Sequence, residues 1–96
     1  MAVVLVHQGP DVTRESYEKV VSSMMGKSRP ESPSDWPAEG LLVHIAGEGS
    51  NGFRVVDVWE SEEAARRFGE QLAPHLQEAG ITAVPELYEA DGFVSA

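Results

Sequence analysis

The sequence predicts an α+β domain in which an antiparallel four-stranded sheet carries both of its helices on one face. Three observations lead there. The segment Phe53–Glu60 is apolar on both alternating faces, Phe53, Val55 and Trp59 on one and Val56 and Val58 on the other, because successive strand side chains point to opposite sides. Only two stretches show the 3.6-residue apolar stripe of an amphipathic helix, Tyr17–Met25 and Ala64–Leu76. Between them, Asn51-Gly52 marks a hairpin, since both residues tolerate positive φ.

Each element follows in order. Ala2–His7 is β-branched and almost continuously apolar, as expected of a strand buried on both sides. Gly9-Pro10-Asp11 breaks it, and Thr13 offers a hydroxyl to cap the first helix. Tyr17, Val20, Val21, Met24 and Met25 form the buried stripe of that helix, and Gly26 is a natural stop. Lys27–Glu39, KSRPESPSDWPAE, holds three prolines and reads as a long loop. Loops of this length in a small domain are usually functional or disordered, and Trp36 argues for order because a large aromatic finds a surface to lie on.

Leu41–Ala46 is a second strand, with Leu41, Val43 and Ile45 expected on one face and Leu42, His44 and Ala46 on the other. The strand Phe53–Glu60 ends at Ser61, which caps a second helix with Glu62 and Glu63 favourably placed in its first turn. Ala64, Ala65, Phe68, Leu72 and Leu76 supply its stripe, Pro74 is expected to kink or restart it, and Gly80 ends it. Thr82–Ala90 is a fourth strand, placed at an edge by Pro85; the tail from Asp91 is unassigned. The order β-α-β-β-α-β is the ferredoxin-like, split βαβ arrangement. With no internal repeat, residues 1–96 read as one domain with a long loop at 27–39.

Bulk properties narrow the partners. The chain has 96 residues with a formal net charge of −9, from 16 acidic and 7 basic residues, which argues against nucleic acid and anionic membrane surfaces. No cysteine is present, so disulfides and thiolate chemistry are excluded. The run MAVVLVHQGP is too short and lacks the basic start of a signal peptide, and no stretch approaches a membrane span, so a cytoplasmic protein is expected. Two helices cover one sheet face. The other, with several Val, Leu and Ile side chains, exceeds the apolar patch monomers normally expose. Burying about 600 Å² of it offers on the order of 15 kcal/mol gross, largely offset by lost freedom on association. A homodimer through sheet-to-sheet packing is the expected partner.

The element order, the strand ending in VWES and the acidic-start helix with Phe68 resemble the dimeric α+β barrel superfamily, and within it the antibiotic-biosynthesis monooxygenase branch. The resemblance spans nearly the whole chain in architecture, and its sequence-specific part lies in Val55–Phe68. It implies two ferredoxin-like protomers packed sheet to sheet, each with a small-molecule cavity between sheet and helices. Members include cofactor-independent oxygenases of polyketide aromatics, haem-degrading enzymes, and domains with no established activity.

Candidate chemistry rests on few residues. His7 ends the first strand where oxygenases and haem degraders of the resembling family place a substrate-touching polar residue, often Asn; here His7 or Gln8 stands in, and His7 otherwise reads as a hydrogen-bonded strand end. His44 lies among apolar neighbours and needs a partner, which Asp57 on the next strand can supply; the pair is either structural or catalytic. Asp57, a carboxylate within an apolar strand, is paired with Arg54, His44 or a backbone donor, or else is tuned for proton transfer. Trp59 and Phe68 line a flat aromatic pocket or are core, Trp36 is a lid or a loop anchor, and Arg54 is a further substrate-binding candidate although it points away from Asp57. His75 stands near the end of the second helix, where haem-degrading relatives place an iron ligand, at a shorter spacing from Trp59. The three scattered histidines give no metal-site spacing, and no phosphate, dinucleotide, zincin or hydrolase motif occurs.

The sequence therefore points to a small-molecule-binding barrel, read as a cofactor-independent monooxygenase acting on an aromatic polyketide-like substrate. In that reading His7, His44 or Asp57 removes a proton, Trp36, Trp59, Phe68 and Arg54 hold the substrate, and no metal or flavin is required. The alternatives are a non-catalytic ligand-binding or accessory barrel, and a haem-binding protein using His75.

Overall fold

Six elements run in the order β1 (Val3–Gln8), α1 (Arg14–Met25), β2 (Leu41–Gly49), β3 (Gly52–Trp59), α2 (Glu62–Glu78) and β4 (Glu86–Glu89). They are seen in a computed structural model that describes residues 1–27, 29–32, 35–36 and 38–94. The expected loop residues Ser28, Pro33, Ser34 and Pro37, and Ser95 and Ala96 of the tail, lie outside the described residues. The strands form one antiparallel sheet in the order β2-β3-β1-β4, so the two most apolar strands are central. This is the expected ferredoxin-like α+β fold.

The register decides which chemistry-bearing residues share a face. Asp57 stands opposite Leu5 on one side and His44 on the other, and His7 stands opposite Val55. His7, His44 and Asp57 therefore all project from the helix side. There Val3, Leu5, Phe53, Val55 and Trp59 bury against Val20 of α1 and Ala64, Ala65, Phe68 and Leu72 of α2. Val4, Val43, Ile45, Val56, Val58 and Tyr88 share the other face by the same alternation; Ile45 is 58% and Tyr88 46% exposed.

The caps are those the sequence predicts. Thr13 Oγ1 accepts the Ser16 N–H at 3.1 Å while Ser16 Oγ accepts the Thr13 N–H at 2.9 Å, a reciprocal capping box. Ser61 Oγ accepts the Ala64 N–H at 3.1 Å. Gly26, at φ 75°, closes α1 in the left-handed conformation.

Four expectations need correction. Pro74 neither breaks nor restarts α2, which runs unbroken from Glu62 to Glu78. Pro74 and Glu70, whose carbonyl loses its donor, are both exposed, so water can replace the missing bond. The β2 alternation is interrupted: Leu41 faces Trp59 and Val43 faces Val58, a β-bulge that places Leu41 with His44 and Ala46 on the helix side. In the hairpin, Gly49 pairs with Gly52, so Ser50-Asn51 forms the turn, and Gly52 alone, at φ 108°, takes the positive angle expected of both Asn51 and Gly52. Finally, β4 starts at Glu86 rather than Thr82, because Thr82 is drawn off: its N–H and hydroxyl both donate to Asp11 Oδ2.

Candidate functional site

Four elements and one loop converge beneath α1. Tyr17 sits on the inward stripe of α1, His44 on β2, Asp57 on β3 and His7 on β1, and the loop after α1 lays Trp36 over them. The loop is drawn into shape by Asp35, whose carboxylate accepts the Glu31 N–H at 2.8 Å and the Ser32 N–H at 3.1 Å and meets Lys27 Nζ at 3.1 Å. Those hydrogen bonds hold its carboxyl below the usual range. Trp36 follows directly, its ring 4.4 Å from that of His44 and 5.6 Å from that of Phe68.

The buried polar groups form a chain. His44 Nδ1 lies 2.6 Å from Asp57 Oδ1, and His44 Nε2 lies 2.6 Å from the Tyr17 hydroxyl. A carboxylate only accepts, so in the neutral ring Nδ1–H donates to Asp57 and Nε2 accepts from Tyr17 O–H. Burial, with the charge of Asp57 adding to it and Arg29 opposing, pushes the Tyr17 hydroxyl up to about 12, so it stays protonated. The expected His44–Asp57 partnership is present, with the two side chains 13% and 4% exposed.

His7 is different. It is 6% exposed and its Nε2 is buried without a hydrogen-bond partner. Burial lowers its pKa from the ordinary value while the nearby Asp57 charge pulls the other way, leaving a neutral imidazole at pH 7. The indole N–H of Trp36 is also buried and unpartnered. Both residues line one cavity of about 50 Å³, together with Tyr17, His44, Asp57 and Phe68. Outside the Tyr17–His44 pair lies an open cleft of about 470 Å³ flanked by Arg14 and Arg29.

The structure thus brings together five of the sequence-predicted residues: His7, His44, Asp57, Trp36 and Phe68. Trp59 does not line the cavity; it is fully buried, its ring packed on that of Phe68 with centroids 5.0 Å apart. Arg54 is exposed on the opposite sheet face, because it alternates with Phe53 and Val55. His75 lies apart from the cavity, its Nδ1 2.6 Å from Ser23 Oγ in an exposed contact between the helices. Sequence reasoning missed Tyr17 as a site residue; its signal was a hydroxyl on an apolar helix stripe, which needs a buried partner. Among the described residues no group of three or more His, Asp or Glu is placed to hold a metal ion, and no helix is long and apolar enough to cross a membrane.

Comparison with known proteins yields fold likeness. No family model matches the chain, and no curated protein matches it. The crystal structure of SnoaB, a cofactor-independent oxygenase from Streptomyces nogalater, is similar with a TM-score of 0.60 at 16% identity, covering 99% of this chain and 98% of that one. A mutant form of SnoaB gives 0.59 at 17% identity with the same coverage. The likeness in architecture extends over 99% of this chain.

Proposed function

We propose that this protein is a cofactor-independent monooxygenase that oxidises a planar, electron-rich aromatic of polyketide type and works as a homodimer. The observation that carries the reading is the unpartnered, buried Nε2 of neutral His7 in a cavity shared with Asp57 and the unpartnered Trp36 N–H. The fold likeness to an oxygenase of this class supports it.

In the tautomer that carries its proton on Nδ1, a neutral imidazole presents a free Nε2 lone pair and is a general base near its working pH. His7 Nε2 takes a proton from an activated ring CH2, and the Asp57 carboxylate stabilises the imidazolium that results. Trp36 N–H donates to the substrate oxygen on which negative charge grows. The carbanion, which still bears one hydrogen, is electron-rich enough to add dioxygen and form a peroxide. Loss of that second hydrogen as a proton, with cleavage of the O–O bond, leaves one oxygen on the carbon as a carbonyl. The other departs as water carrying the two protons the carbon gave up. Because the cavity is only about 50 Å³, a fused-ring substrate fits only when Trp36 lifts from His44 and Phe68, so Trp36 serves as the lid. Arg54 and Trp59 have no contact with substrate in this reading. The apolar face bearing Ile45, Val56 and Val58 is the proposed dimer surface.

Oxygen uptake with a panel of anthrones, without added metal or flavin, tests it. Wild-type turnover with a loss of about 100-fold or more in His7→Gln is expected. Inactivity across the panel overturns the enzymatic reading. The small volume of the cavity favours the second reading, a ligand-binding accessory protein, and binding of the same aromatics without turnover would establish it.

A further inference from the structure

The Tyr17–His44 pair is the wall between two spaces. Both residues line the narrow cavity and both line the wider cleft outside it. Behind them stands Asp57, so a continuous line of two 2.6 Å hydrogen bonds runs from the cleft wall to a buried carboxylate. The acceptor-only carboxylate makes His44 Nδ1–H the donor to Asp57, and in the neutral ring this leaves Nε2 to accept from Tyr17 O–H. The oxygen of Tyr17 therefore retains lone pairs while its own proton already points at a base. We infer that Tyr17, His44 and Asp57 form a proton relay that takes the hydroxyl proton of a phenol or enol bound in the outer cleft, leaving the ligand as an oxyanion near Arg14 and Arg29. This inference rests on the aromatic-substrate reading above and adds a second proton acceptor, distinct from His7.

The step is a proton transfer with no change in electron count. The ligand O–H bond breaks as its proton bonds to Tyr17 Oη; the original Tyr17 O–H bond breaks as that proton bonds to His44 Nε2. Tyr17 ends protonated as it began, and the positive charge rests on His44 beside Asp57. The high affinity of Tyr17 for its proton suits a residue that passes protons without standing as an anion. The cleft suits the product. Arg29 lines it, has no ion pair among the described residues, and lies near enough to Tyr17 to act on its titration. Arg14 lies over the Phe53 ring at 5.8 Å and meets Glu48 only at 3.5 Å, in an exposed contact that is weak. Glu18 also lines the cleft, so the arginines do not act alone there.

The test uses a dihydroxyanthraquinone, a dye that does not consume oxygen and whose colour reports ionisation of its phenol. Binding is followed by quenching of tryptophan fluorescence, and ionisation by the red-shifted absorbance, about one pH unit below the dye's own pKa. The ratio of ionised to neutral dye is expected to rise about tenfold or more on binding to the wild type, and to return to that of free dye on Tyr17→Phe, which keeps the ring and both arginines. Dye that binds but stays neutral in the wild type overturns the relay and leaves the oxygenase reading standing. Dye ionised equally by Tyr17→Phe overturns it too, since the arginines alone would then suffice. If Tyr17→Phe loses binding, Asp57→Asn decides, because it leaves Tyr17 in place: neutral bound dye supports the relay, and ionised bound dye overturns it. A wild type that binds no dye removes the aromatic-substrate reading and the relay together.

Discussion

His44 Nδ1 and Asp57 Oδ1 lie 2.6 Å apart across neighbouring strands, with both side chains largely withdrawn from water. Each residue is the reason the other is tolerated. A carboxylate in the middle of an apolar strand is costly to bury unless a donor meets it, and the register that sets His44 opposite Asp57 supplies the donor.

Asp57→Ala leaves the His44 N–H buried without an acceptor and opens a void behind it. The expected loss of stability is about 2–3 kcal/mol, measured by urea denaturation near neutral pH with an unchanged m-value. Asp57→Asn, whose amide oxygen still accepts, is expected to lose less than half of that. Equal losses in the two variants would mean that packing rather than the hydrogen bond holds this pair.

His7 gives a pH dependence of defined sign. Burial holds its folded-state pKa below the ordinary value of 6.5, so the unfolded chain takes up a proton at a pH where the folded chain does not. Stability is therefore full above about pH 6.5 and declines as pH falls from there toward the folded-state pKa, by at most about 1.4 kcal/mol per pH unit. His7→Gln carries no titrating group and should flatten this part of the curve. Denaturation midpoints of the two proteins, compared between about pH 7 and pH 5, check it; parallel curves would contradict the buried, neutral state of His7.

Gly40 joins the long loop to β2 at φ 97°, and its carbonyl accepts the Glu60 N–H at 2.8 Å. A Cβ there would stand 2.8 Å from Ala64 Cβ and 3.2 Å from Glu60 Cγ, and Ala64, buried at the start of α2, has no freedom to yield. Gly40→Ala is expected to cost about 1–3 kcal/mol, from the strained backbone angle together with the clash. Thermal unfolding measures it. Gly47→Ala, where a Cβ meets nothing within 4 Å and the backbone needs no positive φ, is the control.

What could be read from the sequence was whatever depends on local period and capping. The strands around Val55 and Leu5, the caps at Thr13 and Ser61 and the stop at Gly26 all announce themselves within a few residues. The His44–Asp57 pair was legible for the same reason, because two strands joined by a tight hairpin leave few registers to choose from. Tyr17 was not legible as a site residue. Its partner lies 27 positions away, and only the docking angle of α1 on the sheet decides whether its hydroxyl reaches His44. The β-bulge at Leu41/Val43 was hidden as well, since Leu41-Leu42-Val43 is apolar throughout and alternation cannot show which residue is skipped. Trp59 failed as a pocket residue by depth alone. It lies on the same face as Asp57 but is fully buried against Phe68 and does not reach the cavity.

The proposed dimer surface gives the last prediction. Ile45 is 58% exposed on the sheet face away from the helices, beside Val43 and opposite Val56. If that face is covered by a second protomer, Ile45 is apolar area within an interface, and a charge there is desolvated without a partner. If the protomer stands alone, the same charge meets water. Ile45→Asp is thus expected to convert a dimer into a monomer in sedimentation velocity while leaving the circular dichroism spectrum unchanged, because the protomer loses little from a substitution at an exposed site. Two-fold symmetry places the substitution on both sides of the contact, so each dimer bears two buried carboxylates and the penalty is felt twice. A wild type that sediments as a monomer, or an Ile45→Asp variant that remains dimeric, would rule out this face as the contact.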